Sequence, residues 1–222
     1  MIVSSMTVHE IHNELFSDIQ SIQSKISNLK KEFGRKALKS SKYPITHSYD
    51  CLTSIKKNLF VVNFIALKRS DWKKPFVSAF GIYYRPEGYY AAALSLDMKV
   101  TSIFPPHFFI RYRQRILKDE KLSNTDVIRR YFRYEWGLAA TLVDKDLNAV
   151  YHCFEDNNSE DKVSFVGATA EGYVFGERQV NINIIKTIIT EEMLFEDQKA
   201  LFFNLRRDFE EANRERYSQI QL

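Results

Sequence analysis

Residues 76–97 read Phe76-Val77-Ser78-Ala79-Phe80-Gly81-Ile82-Tyr83-Tyr84, then Arg85-Pro86-Glu87-Gly88, then Tyr89-Tyr90-Ala91-Ala92-Ala93-Leu94-Ser95-Leu96-Asp97. The first nine are rich in aromatic and branched side chains, which suit a pleated, half-buried surface. The four between place Pro early and Gly late, the composition of a tight turn. Two such arms joined by a short turn pair antiparallel. Upstream, Leu59-Phe60-Val61-Val62-Asn63-Phe64-Ile65-Ala66-Leu67-Lys68 is a further run of strand formers, and strand signals begin there. Downstream, the pattern predicts strands at 136–143, 149–155, 162–168, 172–177 and 180–189. Asp144-Lys145-Asp146 and Ala170-Glu171-Gly172 are expected turns, and 156–161 an acidic loop. Short connections make this region an antiparallel meander. Gly172 and Gly176 lie in a strand pattern, where glycine marks a turn, a bulge or close approach to a ligand.

Helices bracket the strands. Thr7-Val8-His9-Glu10 is a capping box. Leu15, Ile19, Ile22, Ile26, Leu29 and Phe33 follow at spacings of 4, 3, 4, 3 and 4, a heptad seam. Gly34 is the expected C-terminal cap, so the helix spans about 27 residues and ~40 Å. A narrow seam needs a partner. It is either internal, the C-terminal helix first among the candidates, or a second copy of the chain, which makes a homodimer through Leu15–Phe33. Residues 35–43 are basic and polar and precede Pro44. The expected division is therefore 1–43, a heptad helix and basic linker, and 44–222, a globular α+β domain ending in a long helix. Thr190 is the expected cap of that helix, with Leu194, Leu201, Leu205, Phe209 and Ala212 on its apolar face. The fold class expected is α+β: an antiparallel sheet with a packed basic helix, bracketed by long terminal helices.

That basic helix begins at Pro105-Pro106-His107-Phe108-Phe109-Ile110-Arg111-Tyr112-Arg113-Gln114-Arg115. At about 100° per residue, His107, Arg111, Gln114, Arg115 and Lys118 share one narrow stripe. Phe108, Phe109, Ile110, Tyr112, Ile116 and Leu117 occupy the rest. An imidazole titrating near neutrality beside fixed cations is what phosphodiester cleavage needs: proton transfer, and charge to oppose a developing phosphorane. Arg also grips phosphate oxygens bidentately. The plain reading is a solvated helix face. A second helix, capped by Ser123 or Thr125, carries Arg129, Arg130 and Arg133 with Tyr131 and Tyr134. Such a patch can track a nucleic-acid backbone and stack bases. The plain reading there is a wet face with tyrosines covering the core.

The composition sets limits. The chain has 222 residues, 45% apolar and 14% aromatic, which is ample for a packed core. The formal charge of +4 permits a polyanionic partner without demanding one. Residues 155–161 hold four acids and no base. Cys51 and Cys153 are too few for a disulfide framework, which fits a reduced, cytoplasmic setting. No apolar run approaches the ~18 residues of a membrane span, and no signal pattern opens the chain. His152 and Cys153 are neighbours, so a strand sends them to opposite faces. No metal-ligand spacing exists, and no cofactor is implied.

Element order, with a His/Arg helix before a meander and Thr187 near the last strand, resembles the broad group of metal-independent ribonucleases that includes barnase, EndoU, colicin-type tRNases and RelE-type toxins. The resemblance covers residues 100–190. It implies cleavage through the RNA 2′-hydroxyl, with His107 as acid or base, Arg111 and Arg115 on the phosphate, Thr187 hydrogen-bonding it, and no metal. Lys118, Arg129, Arg130 and Arg133 are the expected contacts to the rest of the RNA or another polyanion. The competing expectation is a non-enzymatic protein that dimerises through its terminal helices and binds an acidic partner.

Overall fold

The computed structural model describes residues 1–95, 98–134, 137–143 and 162–213, and in it the chain is α+β, with helices at both ends and antiparallel strands between. The chain forms two units, Met1–Thr101 and a second that begins at Ser102. The composition break at residue 43 falls inside the first unit, just before its first strand.

In the first unit Thr7 caps α1 (Val8–Ile19) as its sequence dictates. Thr7 Oγ1 accepts from the Glu10 N–H at 3.3 Å, and Glu10 Oε2 accepts from the Thr7 N–H at 2.7 Å. A 3₁₀ turn (Gln20–Ile22) leads into α2 (Gln23–Lys39). Gly34 does not end this helix, which runs on to Lys39. The reason is steric: a Cβ at Gly34 would lie 2.7 Å from the Trp72 carbonyl oxygen, so glycine lets the 3₁₀ turn Arg69–Trp72 press against α2.

Four strands follow in the antiparallel order β1 (Ile45–Leu52), β2 (Leu59–Ala66), β3 (Phe76–Arg85) and β4 (Gly88–Ser95). The β3–β4 hairpin turns at Pro86-Glu87, with Arg85 opposite Gly88. β1 begins fourteen residues before the first strand expected from composition. As the outermost strand it pairs only with β2, so its mixed polarity is tolerated where an inner strand's would not be.

The heptad seam turns inward. Leu15, Ile19, Ile22 and Phe33 are buried, Leu15 reaching to Gly81 of β3 and Phe33 stacking on Phe64 of β2 at 5.6 Å between centroids. Among the described residues the sheet covers Leu15 and Phe33, while Ile26 and Leu29 are half-buried. Beside the seam lies a buried polar network. Asp18, 3% exposed, accepts from Thr53 Oγ1 at 2.7 Å and from Asn58 Nδ2 at 2.8 Å. Glu14 accepts from Lys56 Nζ at 2.7 Å and from Asn58 Nδ2 at 3.2 Å. These bonds tie the β1–β2 loop to α1. Burial by itself would raise the Glu14 pKa, but Lys56, the Met1 amino group and Asn58 outweigh it and hold the carboxyl at about 2.

The second unit takes over within β5 (Val100–Phe104). It continues through α3 (Pro106–Tyr112), a π-helical turn (Arg113–Leu117) and α4 (Asn124–Tyr134). Then come β6 (Ala139–Leu142), β7 (Val163–Ala168), β8 (Tyr173–Gln179) and β9 (Ile182–Ile189). The strand order is β5-β9-β8-β7-β6, with β6 to β9 an antiparallel meander. The strand expected at 149–155, the turn at 144–146 and the acidic loop lie outside the described residues. Gly176 does sit at a bulge: the β8–β9 register shifts between Phe175 and Gly176, leaving Lys186 as the extra residue on β9.

Thr190 opens only a 3₁₀ turn (Glu191–Met193), and α5 (Glu196–Ala212) starts after Phe195, whose N–H donates to Gln198 Oε1 at 3.2 Å. The chain is extended at Leu194 because that side chain is buried, and this breaks the helix expected from residue 190. Phe202 plugs α5 onto the meander, 4.9 Å from Tyr173 and 5.6 Å from Phe175. Among the described residues, no helix is long and apolar enough to cross a membrane.

Two stability outcomes follow. Glu14 has a depressed pKa, so its contribution is present above the ordinary carboxylate pKa and lost as pH falls towards about 2. Glu14→Gln should therefore cost roughly 1–3 kcal/mol at pH 7, and urea midpoints of variant and wild type should converge as pH falls through that window. Gly34→Ala gains about 1 kcal/mol of helix propensity. It should still lower the melting temperature, because overpacking against a backbone carbonyl costs about 1–3 kcal/mol; an unchanged or raised melting temperature would refute the close-approach account.

Candidate functional site

The rotation of α3 is set by its aromatic residues. Phe108, Phe109 and Tyr112 are buried, and they meet Phe104, Tyr131 and Phe132 with ring centroids 5.1–6.4 Å apart. With that side fixed inward, His107, Ile110, Arg111 and Gln114 face solvent. Of the stripe expected from the helical spacing, His107, Arg111 and Gln114 are exposed, with Ile110 beside them.

The helix changes character after Tyr112. Over Arg113–Leu117 it widens into a π turn, closed by the Lys118 N–H donating to the Arg113 carbonyl at 2.8 Å. The extra residue per turn swings Arg115 off the solvent stripe. Arg115 Nη1 donates to Thr187 Oγ1 at 3.2 Å and to the Ile188 carbonyl at 2.8 Å. Arg115 and Thr187 do meet, but they meet each other. Arg113, which the sequence reading passed over, donates to the Leu122 carbonyl and to Asn124 Oδ1, both at 2.9 Å, and fixes the loop into α4.

His107 lies against the backbone of Lys186, the bulged residue of β9. Its pKa is lowered, first by partial burial of the ring and next by the charge of Arg111; the Lys186 backbone favours the protonated form and its ammonium opposes it. Arg115 is also lowered, by burial and then by Arg111. His107, Arg111, Lys186 and the Arg115–Thr187 pair therefore form one cationic neighbourhood. Lys186 forms an ion pair with Glu177 across β8 and β9. No sequence motif marks Lys186; the only trace of its position is Gly176 on the neighbouring strand, where the bulge forms.

The second set of expected residues is more scattered in role. Arg130 forms an ion pair with Glu171 at 3.1 Å, so it is not an open phosphate ligand. Arg129 is half-buried and Arg133 exposed. Lys118 is exposed, in a left-handed conformation at φ 51° that ends the π turn. Tyr131 is fully buried in the aromatic cluster, which removes it as a base-stacking side chain. Cys51 is buried and its thiol is pushed up by burial, the reverse of what a nucleophile needs. Cys153 and His152 lie outside the described residues. A concavity of about 500 Å³ is lined by Tyr173, Glu191, Leu194, Lys199, Ala200, Phe203 and Asn204, and contains none of the expected catalytic or nucleic-acid-binding residues.

Comparison of the chain with protein-family models, curated proteins and solved structures finds no match. The site must be read from its own chemistry.

That chemistry gives a direct measurement. By NMR titration, His107 should show a pKa below its ordinary 6.5. Arg111→Ala should raise it, and so should added inorganic phosphate, because an anion favours imidazolium. An identical titration in the Arg111→Ala variant would show that the two groups share no field.

Proposed function

We propose that this is a cytoplasmic RNA-binding protein whose second unit cleaves RNA without a metal ion, with His107 as the proton-transferring group and Arg111 on the phosphate. The observation that carries this reading is the pairing of exposed His107 and Arg111, one helical turn apart, on a helix pinned to the β9 bulge. A lowered pKa keeps the imidazole neutral near pH 7, the form needed to accept the 2′-hydroxyl proton. The freed 2′-oxygen attacks phosphorus and charge accumulates on the non-bridging oxygens; the bond to the 5′-oxygen then breaks, leaving a 2′,3′-cyclic phosphate, and the departing 5′-oxygen takes its proton from water. Arg111 is the cation placed to oppose that charge; Lys186, beside His107, is paired with Glu177. Arg115 and Thr187 serve as positioning residues: their bond holds the end of the helix on β9.

The test is cleavage of end-labelled mixed-sequence RNA in EDTA by wild type, His107→Ala and Arg111→Ala. The expected result is a loss of at least ~100-fold for His107→Ala, the scale of general acid–base catalysis. No cleavage by wild type, or equal cleavage by all three proteins, removes His107 from catalysis. The reading that would then take its place is a non-enzymatic interaction protein. It keeps one supporting observation, Phe195 and Phe203, which stand 71% and 67% exposed just before α5 and midway along it.

A further inference from the structure

The first unit carries a charge cluster unrelated to His107. Residues 25–42 contain seven Lys or Arg and one acid, and residues 68–74 contain four and one. In sequence these are two separate runs. In the fold they are neighbours, because Gly34 lets the Arg69–Trp72 turn pack directly on α2. Lys31, Arg35 and Lys39 follow at intervals of four, so they form a single row along the helix, ~6 Å apart in rise. All three are exposed, as are Arg69, Lys73 and Lys74 on the adjoining turn.

Both acids within these runs are occupied. Glu32 pairs with Lys36 at 2.9 Å and accepts from the Tyr49 hydroxyl at 3.2 Å. Asp71 accepts from the Leu67 and Lys68 N–H groups at 3.0 and 3.1 Å. Among the described residues, no carboxylate pairs with Lys31, Arg35, Lys39, Arg69 or Lys74. Such a cluster repels itself, and a polyanion laid across it relieves the repulsion. Trp72 sits half-exposed among these cations, with Lys73 Nζ 5.2 Å from its ring centre.

We propose that α2 and the Arg69–Lys74 turn form a binding face for the phosphate backbone of RNA, with Trp72 as a stacking surface for a base. RNA as the partner rests on the reading of the second unit; the surface itself does not. Cations plus an aromatic platform are what single-strand binding requires. An anionic membrane would need apolar anchors beside the charge. None of the exposed large apolar side chains among the described residues falls in 23–44 or 67–74.

The experiment is fluorescence anisotropy of a labelled single-stranded RNA with the full chain carrying His107→Ala, so that the probe survives. Salt is varied between about 50 and about 300 mM. The background protein is compared with one that adds Lys31→Gln, Arg35→Gln and Lys39→Gln, and with one that adds Arg69→Gln and Lys74→Gln. All are surface changes, and unchanged thermal melts establish folding. The triple substitution should weaken binding at least ~10-fold and flatten the log Kd against log salt slope by about 2, near 0.7 per lost phosphate contact. Equal affinity and slope in all proteins would overturn the proposal. So would absence of RNA binding by the background protein. Cleavage of a dinucleotide by wild type, measured in parallel, reports on the His107 site. If that cleavage is absent while the salt slope follows the triple substitution, the ribonuclease reading fails and the binding face stands.

Discussion

The candidate site depends on the aromatic cluster of Phe104, Phe108, Phe109, Tyr112, Tyr131 and Phe132. Six large rings in mutual contact allow few alternative packings, because each rotation of α3 about its axis would open a void or force a clash. The cluster therefore decides which side of α3 meets water. His107 and Arg111 are exposed because Phe108, Phe109 and Tyr112 cannot be.

The π turn then divides the helix into two functions. Before it, α3 presents an imidazole and a guanidinium to solvent. After it, Arg115 is turned back onto β9 and bonded to Thr187 and the Ile188 carbonyl. A bulge at Lys186 on the same strand brings backbone and ammonium to the imidazole's side. Two local irregularities, one in a helix and one in a strand, thus create the only place among the described residues where His107 has cationic neighbours from two elements. Regular versions of both would have left Arg115 on the wet face and Lys186 in register.

In the first unit the organising constraint is close approach. Glycine at position 34 removes the side chain that would keep the Arg69–Trp72 turn away from α2. One consequence is mechanical, since the turn buttresses a long helix over the sheet. The other is electrostatic, since two basic runs become one surface. The buried Asp18–Thr53–Asn58 network is polar where an apolar core would do. It places the β1–β2 loop on α1 in one geometry, through bonds that each need a specific partner.

Much of this was legible in the chain. The β3–β4 hairpin, the strands from residue 162 onward, the capping box at Thr7 and the His107–Arg111 stripe are local patterns, set by side-chain periodicity and turn chemistry within a few residues. What the sequence hid was non-local. Gly34 looks like a helix end, and only Trp72, 38 positions away, makes it a packing glycine. The heptad seam reads as a helix-pairing stripe, yet Leu15 and Phe33 pack on strands, because apolar periodicity specifies burial but not what does the burying. β1 is too polar to announce itself and is a strand only because β2 offers it a partner. Thr187 could be named from its place near the last strand, but Lys186 could not, since its position follows from a register shift between two strands. By itself the sequence determined most of the elements, β1 and β5 excepted, and which of their faces avoid water, because those follow from short-range chemistry. The tertiary structure alone decided which charges stand together, because that depends on contacts between residues far apart along the chain.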